Sequence, residues 1–139
     1  MERSAILIML AITDDKAIVP LHVKLCDGFN LIRDNSGTGK TYAFKRIRDY
    51  YAIHRGITCA LVDYSNYEHF HFEDKFDLLL LDNADLYLNA EILTQCLNNC
   101  GIVVCSAKQY FAVPGFKTHY CSVKADNKLV EVISRVFSV

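Results

Sequence analysis

Asp34-Asn35-Ser36-Gly37-Thr38-Gly39-Lys40-Thr41 is the stretch that decides how this chain is read. Before it, residues 29–33 (FNLIR) read as a short strand; after it, Phe44, Ile47 and Tyr51 recur at i, i+3 and i+7 as one face of an amphipathic helix. A glycine-rich turn between a strand and a helix can point successive backbone N–H groups inward and form a nest for an anion. The helix that opens near Lys40 adds its unpaired amides and the positive end of its dipole. The pattern predicts a phosphate cradle over residues 35–41, with the Lys40 ammonium reaching the outer phosphates and the Thr41 hydroxyl joining the shell of a divalent cation.

Outward from that loop, strands and helices alternate. Gly56 is a plausible stop for the helix. Residues 57–62 form a β-branched strand ending at Asp63, and Leu78-Leu79-Leu80-Leu81 is a continuous apolar run ending at Asp82, as a strand buried on both faces should read. Asn89 can cap a helix running to Asn98, with Glu91 near its positive end. Gly101 ends it, residues 102–105 form another buried strand before Ser106, and residues 107–117 with Pro114-Gly115 read as loop. Residues 118–123 and 129–133 read as strands around Asp126-Asn127-Lys128, and the tail reads as either strand or short helix.

Upstream, residues 4–12 and 17–25 read as strands joined by the turn Thr13-Asp14-Asp15-Lys16. Pro20 lacks an N–H, which predicts an edge position for the second. Residues 64–77 mix aromatics, acids and histidines without a period; Glu68, His69, His71, Glu73 and Asp74 suit a segment packed over the sheet better than a metal cluster. The expected architecture is α/β, with a mostly parallel sheet covered on both faces, antiparallel N-terminal additions and one domain over residues 1–139.

Composition bounds the function. The chain has 139 residues, 52% of them hydrophobic, and 15 basic against 16 acidic side chains for a net charge of −1. That balance argues against a general nucleic-acid binder, and the apolar content argues against disorder. The apolar run over residues 5–12 is too short for the roughly 20 residues that span a bilayer, and no signal-peptide cleavage pattern follows it. A cytoplasmic, membrane-free protein is expected. The six cysteines include no C-x-x-C pair and sit largely in apolar runs, as reduced core thiols do.

The segment from Asp34 to Thr41 resembles the Walker A motif of P-loop nucleoside triphosphatases, G-x-x-x-x-G-K-[ST], with Asp34 in place of the first glycine. Leu78 to Asp82 resembles Walker B, whose aspartate holds the Mg²⁺ shell. Over residues 29–106 the chain is similar to the additional-strand ATPase division, with a core like those of ABC and SMC heads or of AAA enzymes. It lacks an LSGGQ-like signature, a convincing glutamine loop and room for a helical lid.

The resemblance implies a three-layer P-loop fold with core strand order 5-1-4-3-2, the phosphate loop and Asp82 on adjacent strands. It implies Mg-ATP binding, with Asn35, Ser36, Gly37, Thr38, Gly39, Lys40, Thr41 and Tyr42 around the nucleotide, Ser106 as the γ-phosphate sensor, and Thr41 and Asp82 as metal residues. Lys40, Asp82, Asn83 and Asp85 are the implied catalytic set. Asn83 stands where the division carries a water-polarising glutamate, and a carboxamide orients water without accepting its proton. Asp85 is either a substitute or a solvated or capping acid. No arginine finger is assigned; Arg135 is a guess at one.

A small ATP-binding protein with slow or partner-dependent hydrolysis is therefore expected, its partner another protein or a second copy. The alternatives are a non-catalytic interaction module with a vestigial phosphate loop and, for a different reaction, a small-molecule kinase. No Asn-Lys-x-Asp guanine motif occurs, which favours ATP.

Overall fold

A computed structural model describes residues 9–33, 39–54, 56–109 and 113–137. In chain order the elements are β1 (Met9–Asp14), β2 (Leu21–Cys26), β3 (Gly28–Ile32), α1 (Lys40–Ile53), β4 (Cys59–Val62), β5 (Leu78–Leu81), α2 (Ala90–Asn99), β6 (Ile102–Ser106), β7 (Thr118–Ala125) and β8 (Val130–Ser134). Short 3-10 turns lie at Tyr67–His69, Ala84–Leu86 and Arg135–Phe137.

The apolar runs explain the layering. Every residue of β5 and β6 is buried. Their period of two sends Leu78, Leu80, Ile102 and Val104 to one face, and Leu79, Leu81, Val103 and Cys105 to the other. On the first face Ala43, Phe44 and Ile47 of α1 complete the core. On the second, Leu93, Cys96 and Leu97 of α2 do so, with Phe70, Phe72 and Phe76 packed beside them. The Asn89 side chain accepts from the Ile92 N–H at 2.9 Å, so α2 starts at the expected cap.

The eight strands form one mixed sheet in the order β1-β2-β8-β7-β3-β6-β5-β4. From β7 to β4 all neighbours are parallel. β7 and β8 form an antiparallel hairpin, β2 pairs parallel to β8, and β1 pairs antiparallel to β2. The N-terminal hairpin thus extends the sheet through β8 and leaves β1 at the edge.

Three expectations need correction. β2 is not an edge strand, because Pro20 stands one residue ahead of it and contributes only a carbonyl, which accepts the Val130 N–H at 2.9 Å. β1 runs on to Asp14, through the first half of the expected turn, while residues 17–19 lie outside any strand; residues 4–8 lie outside the described ones. The strands leading to the phosphate loop and to Asp82 are not adjacent: β6 lies between β3 and β5, with Ile102 in register with both Gly28 and Leu78. A strand apolar on both faces belongs in the middle of a covered sheet.

One buried polar residue ties the two parts of the sheet together. Asn30 is fully buried; its amide donates to the Cys26 carbonyl at 2.9 Å and its Oδ1 accepts the Cys26 N–H at 3.1 Å. A longer contact of 3.4 Å reaches the Val103 carbonyl. The side chain takes the place of ladder bonds where the chain turns at Asp27 into Gly28, whose φ of 88° suits glycine. Asn30→Ala would strand the Cys26 N–H and C=O in the interior, and we expect a loss of about 2–3 kcal/mol, read as a lower urea midpoint.

All six cysteines are free thiols. Burial pushes Cys59, Cys96 and Cys121 up to about 12 from an ordinary 9.0. Between those values the unfolded chain releases protons that the folded chain keeps, so stability falls as pH rises. We expect the urea midpoint to decline as pH rises above 9.0, and the decline to be shallower in Cys121→Ala.

Candidate functional site

In parallel α/β sheets the crevice for a ligand lies beyond the carboxyl ends of the strands. Here those ends carry Asp82 after β5, Ser106 closing β6, and the chain that leaves β3 to enter α1. Asp82 is 3% exposed, and both its carboxylate oxygens are engaged. The Thr41 hydroxyl donates to Oδ2 at 2.7 Å and the Ser106 hydroxyl to Oδ1 at 2.9 Å. Ser106 Oγ in turn accepts the Asn83 N–H at 2.8 Å.

The backbone behind Asp82 is also fixed. Its N–H donates to the Val62 carbonyl at 2.9 Å. The Tyr87 hydroxyl reaches the carbonyls of both Asp82, at 2.8 Å, and Val62, at 3.0 Å. Burial first, then the neighbouring Cys105 and Asp82, push the Tyr87 hydroxyl far up, so it remains a neutral donor. Asn83 adopts φ 52° and ψ 49°, a left-handed conformation that asparagine tolerates.

α1 begins at Gly39, whose φ is 84°. A Cβ there would lie 2.7 Å from Ala125 Cβ and 2.9 Å from the Ala125 carbonyl oxygen, so the end of β7 walls the entrance of the helix. The Gly39 carbonyl accepts the Ala43 N–H at 2.9 Å, the first bond of α1. The first turn carries no acid of its own, and the carboxylate that meets it is that of Asp82, through Thr41. Lys40, in that turn, is 6% exposed.

Gly39, Lys40, Thr41, Asp82, Asn83 and Ser106 thus gather at one end of the sheet, with Tyr42 partly exposed on the first turn of α1. Asn35, Ser36, Gly37 and Thr38, together with Asp34, lie outside the described residues. Asp85 Oδ2 accepts the Lys108 N–H at 3.2 Å, which holds the turn after β6. Arg135 follows β8, which β7, β3 and β6 separate from β5; its guanidinium lies 6.0 Å from the Tyr120 ring. Tyr87 and Ala125 were not marked by the sequence. Neither lies in a motif, and each acts through a contact between separate elements.

A hydroxyl and a carboxylate side by side are hard oxygen donors of the kind that Mg²⁺ takes, and the pair fits that ion. No group of three or more His, Cys, Asp or Glu that could hold a metal occurs among the described residues, here or elsewhere. No described helix is long and apolar enough to cross a membrane.

No protein-family model matches this chain, and no curated protein does. A chain of a solved structure described as a model of ribosome-bound archaeal Pelota and ABCE1 is similar to it, with 12% sequence identity and a TM-score of 0.48. The match covers 95% of this chain and 34% of that one, so this chain spans about a third of that chain's length.

Ser106 links Asp82, Asn83 and β6. We expect Ser106→Ala to lower stability by about 1–3 kcal/mol, because it removes a donor from a buried carboxylate and an acceptor from the Asn83 N–H. Chemical denaturation beside an exposed-site control such as Ser122→Ala measures it.

Proposed function

We propose that this chain binds Mg-ATP at the carboxyl ends of β3, β5 and β6 and turns it over slowly, or at speed only with a partner. The observation that carries the reading is the 2.7 Å hydrogen bond from the Thr41 hydroxyl to Asp82. It joins the end of the glycine-rich segment to the strand-end acid, two regions separated by the rest of α1, β4 and β5. The order of the parallel strands supports it further. Counted from β3 along the chain, they read 5-1-4-3-2, the order that the resemblance to the additional-strand ATPase division implies.

In this reading the amides of residues 35–39 and the first turn of α1 hold the phosphates, and Lys40 neutralises charge on the outer two. Thr41 and Asp82 are the residues that hold Mg²⁺, which when bound offsets the charge that builds on the β- and γ-phosphate oxygens. Ser106 fixes the Asp82 carboxylate and faces the position of the γ-phosphate. Tyr42 borders the nucleotide.

Proton transfer is the weak point of the site. Asn83 can orient a water but cannot take its proton, and the Asp85 carboxylate is engaged by the Lys108 N–H. A base supplied by a protein partner or a second copy would restore turnover. The same two departures, Asn83 and Asp34, favour a second reading: an interaction module whose phosphate loop is vestigial.

Melting curves with ATP, ADP and GTP, each with and without Mg²⁺, separate the two. Mg-ATP at 100 times its Kd should stabilise the fold by about 2.7 kcal/mol. Lys40→Ala should abolish that shift while keeping a cooperative transition of its own. No shift with any nucleotide supports the vestigial module, and a shift that survives Lys40→Ala overturns the site.

A further inference from the structure

A cleft of about 150 Å³ lies between the end of β1, the start of β2 and the later turns of α1. None of the residues that line it belongs to the proposed nucleotide site. Leu21, buried, and Ile53, 77% exposed, give it an apolar base and an apolar rim. Tyr50 and His54 wall it as a stacked pair, with ring centroids 4.1 Å apart and planes 21° apart.

Three charged side chains also line the cleft: Asp14, Asp49 and Arg46. One Arg46 N–H donates to the Val19 carbonyl at 2.8 Å, which anchors the guanidinium, and Arg46 forms no ion pair with either carboxylate. Asp49 is held instead by its neighbour Arg48, whose two N–H groups donate to Oδ1 at 3.0 and 3.1 Å. The Asp14 carboxylate takes part in no hydrogen bond or ion pair among the described residues.

That inventory selects the occupant. Opposite charges that line one cleft without meeting each other suit a ligand that carries both signs. A phosphate is opposed by two carboxylates and a simple organic cation by Arg46. The acids and His54 do not form a group that could hold a metal ion. Arg46 keeps donors for a carboxylate, which a guanidinium grips bidentately, and Asp14 keeps its oxygens for an ammonium. Size narrows the class further. The volume lies well below the roughly 300 Å³ at which pockets for drug-sized ligands begin, and a cavity of about 150 Å³ takes a molecule such as benzene.

We propose that this cleft binds a free α-amino acid with an aliphatic side chain. Arg46 takes its carboxylate, Asp14 takes its ammonium, and Leu21, Tyr50 and Ile53 receive the side chain. The site is separate from the nucleotide site, and its occupancy does not rest on nucleotide binding.

NMR titration of the isotope-labelled full chain with L-leucine, in the absence of nucleotide, tests this. The comparison probes are 3-methylbutylamine, which is leucine without its carboxylate, and 4-methylpentanoate, which is leucine without its ammonium. Leucine should give saturable shifts at millimolar concentration, centred on the backbone amides of residues 46–54 and of Asp14 and Leu21. Each single-charge probe should bind about 10-fold more weakly or worse, as should leucine to Asp14→Asn, since each loses a hydrogen bond between charged groups. Arg46→Gln should weaken leucine and 4-methylpentanoate but not 3-methylbutylamine. Glu91→Gln, on α2, should leave binding unchanged, and the dispersion of each spectrum shows that the variant is folded. No saturable shift with leucine, shifts centred outside the cleft, an amine probe that binds as tightly as leucine, or an affinity untouched by Asp14→Asn would each overturn the proposal.

Discussion

The Asp82 carboxylate is the point on which the rest of the structure turns. It is buried, and a buried carboxylate costs several kcal/mol unless its oxygens are matched by donors. Thr41 and Ser106 supply those donors, one from the first turn of α1 and one from the end of β6. A single side chain therefore sets the distance between three elements that the chain reaches at widely separated times. The price of that arrangement is a concentration of polar atoms at one end of an otherwise apolar sheet, which is the end where a polar ligand could be received.

The sheet itself is built in two parts with different logic. From β7 to β4 the strands are parallel, and β5 and β6 at its centre are apolar on both faces because helices cover both sides. The antiparallel pairs at the other end, β1 with β2 and β7 with β8, alternate instead: Leu21, Val23 and Leu25 are buried while Lys24 is exposed. The join between the parts passes through the β7–β8 hairpin and through Asn30, whose amide answers the backbone of Cys26. Ala125, at the end of β7, meets Gly39 at the start of α1, so the hairpin also bounds the candidate site.

Much of this was legible in the residues. The apolar run Leu78–Leu81, the Asn89 cap and the helix face of Phe44 and Ile47 are local signals, and each appears where its chemistry calls for it. The edge assignment of β2 failed because proline forbids only its own N–H, and Pro20 sits just outside the ladder. The neighbour relation of β3 and β5 failed for a different reason: it conflicts with the order 5-1-4-3-2 implied beside it, which puts the fourth strand between the first and the third. Strand order is decided by which apolar strand fills the centre of the sheet, and periodicity along one strand is silent on that. Tyr87 carried no motif at all, since its bonds to the Val62 and Asp82 carbonyls join residues brought together by the fold.

By itself, then, the amino-acid order determined most of the strands and helices and where the glycine-rich stretch stands between two of them. Those properties depend on residue type and spacing over a few positions, where backbone sterics and side-chain chemistry act directly. Only the tertiary structure decided that Thr41, Asp82 and Ser106 meet, that Asp85 serves a turn, and that Arg135 lies against Tyr120. Contacts across such separations follow from how two apolar faces are buried at once, a condition on the whole chain that no short stretch of it contains.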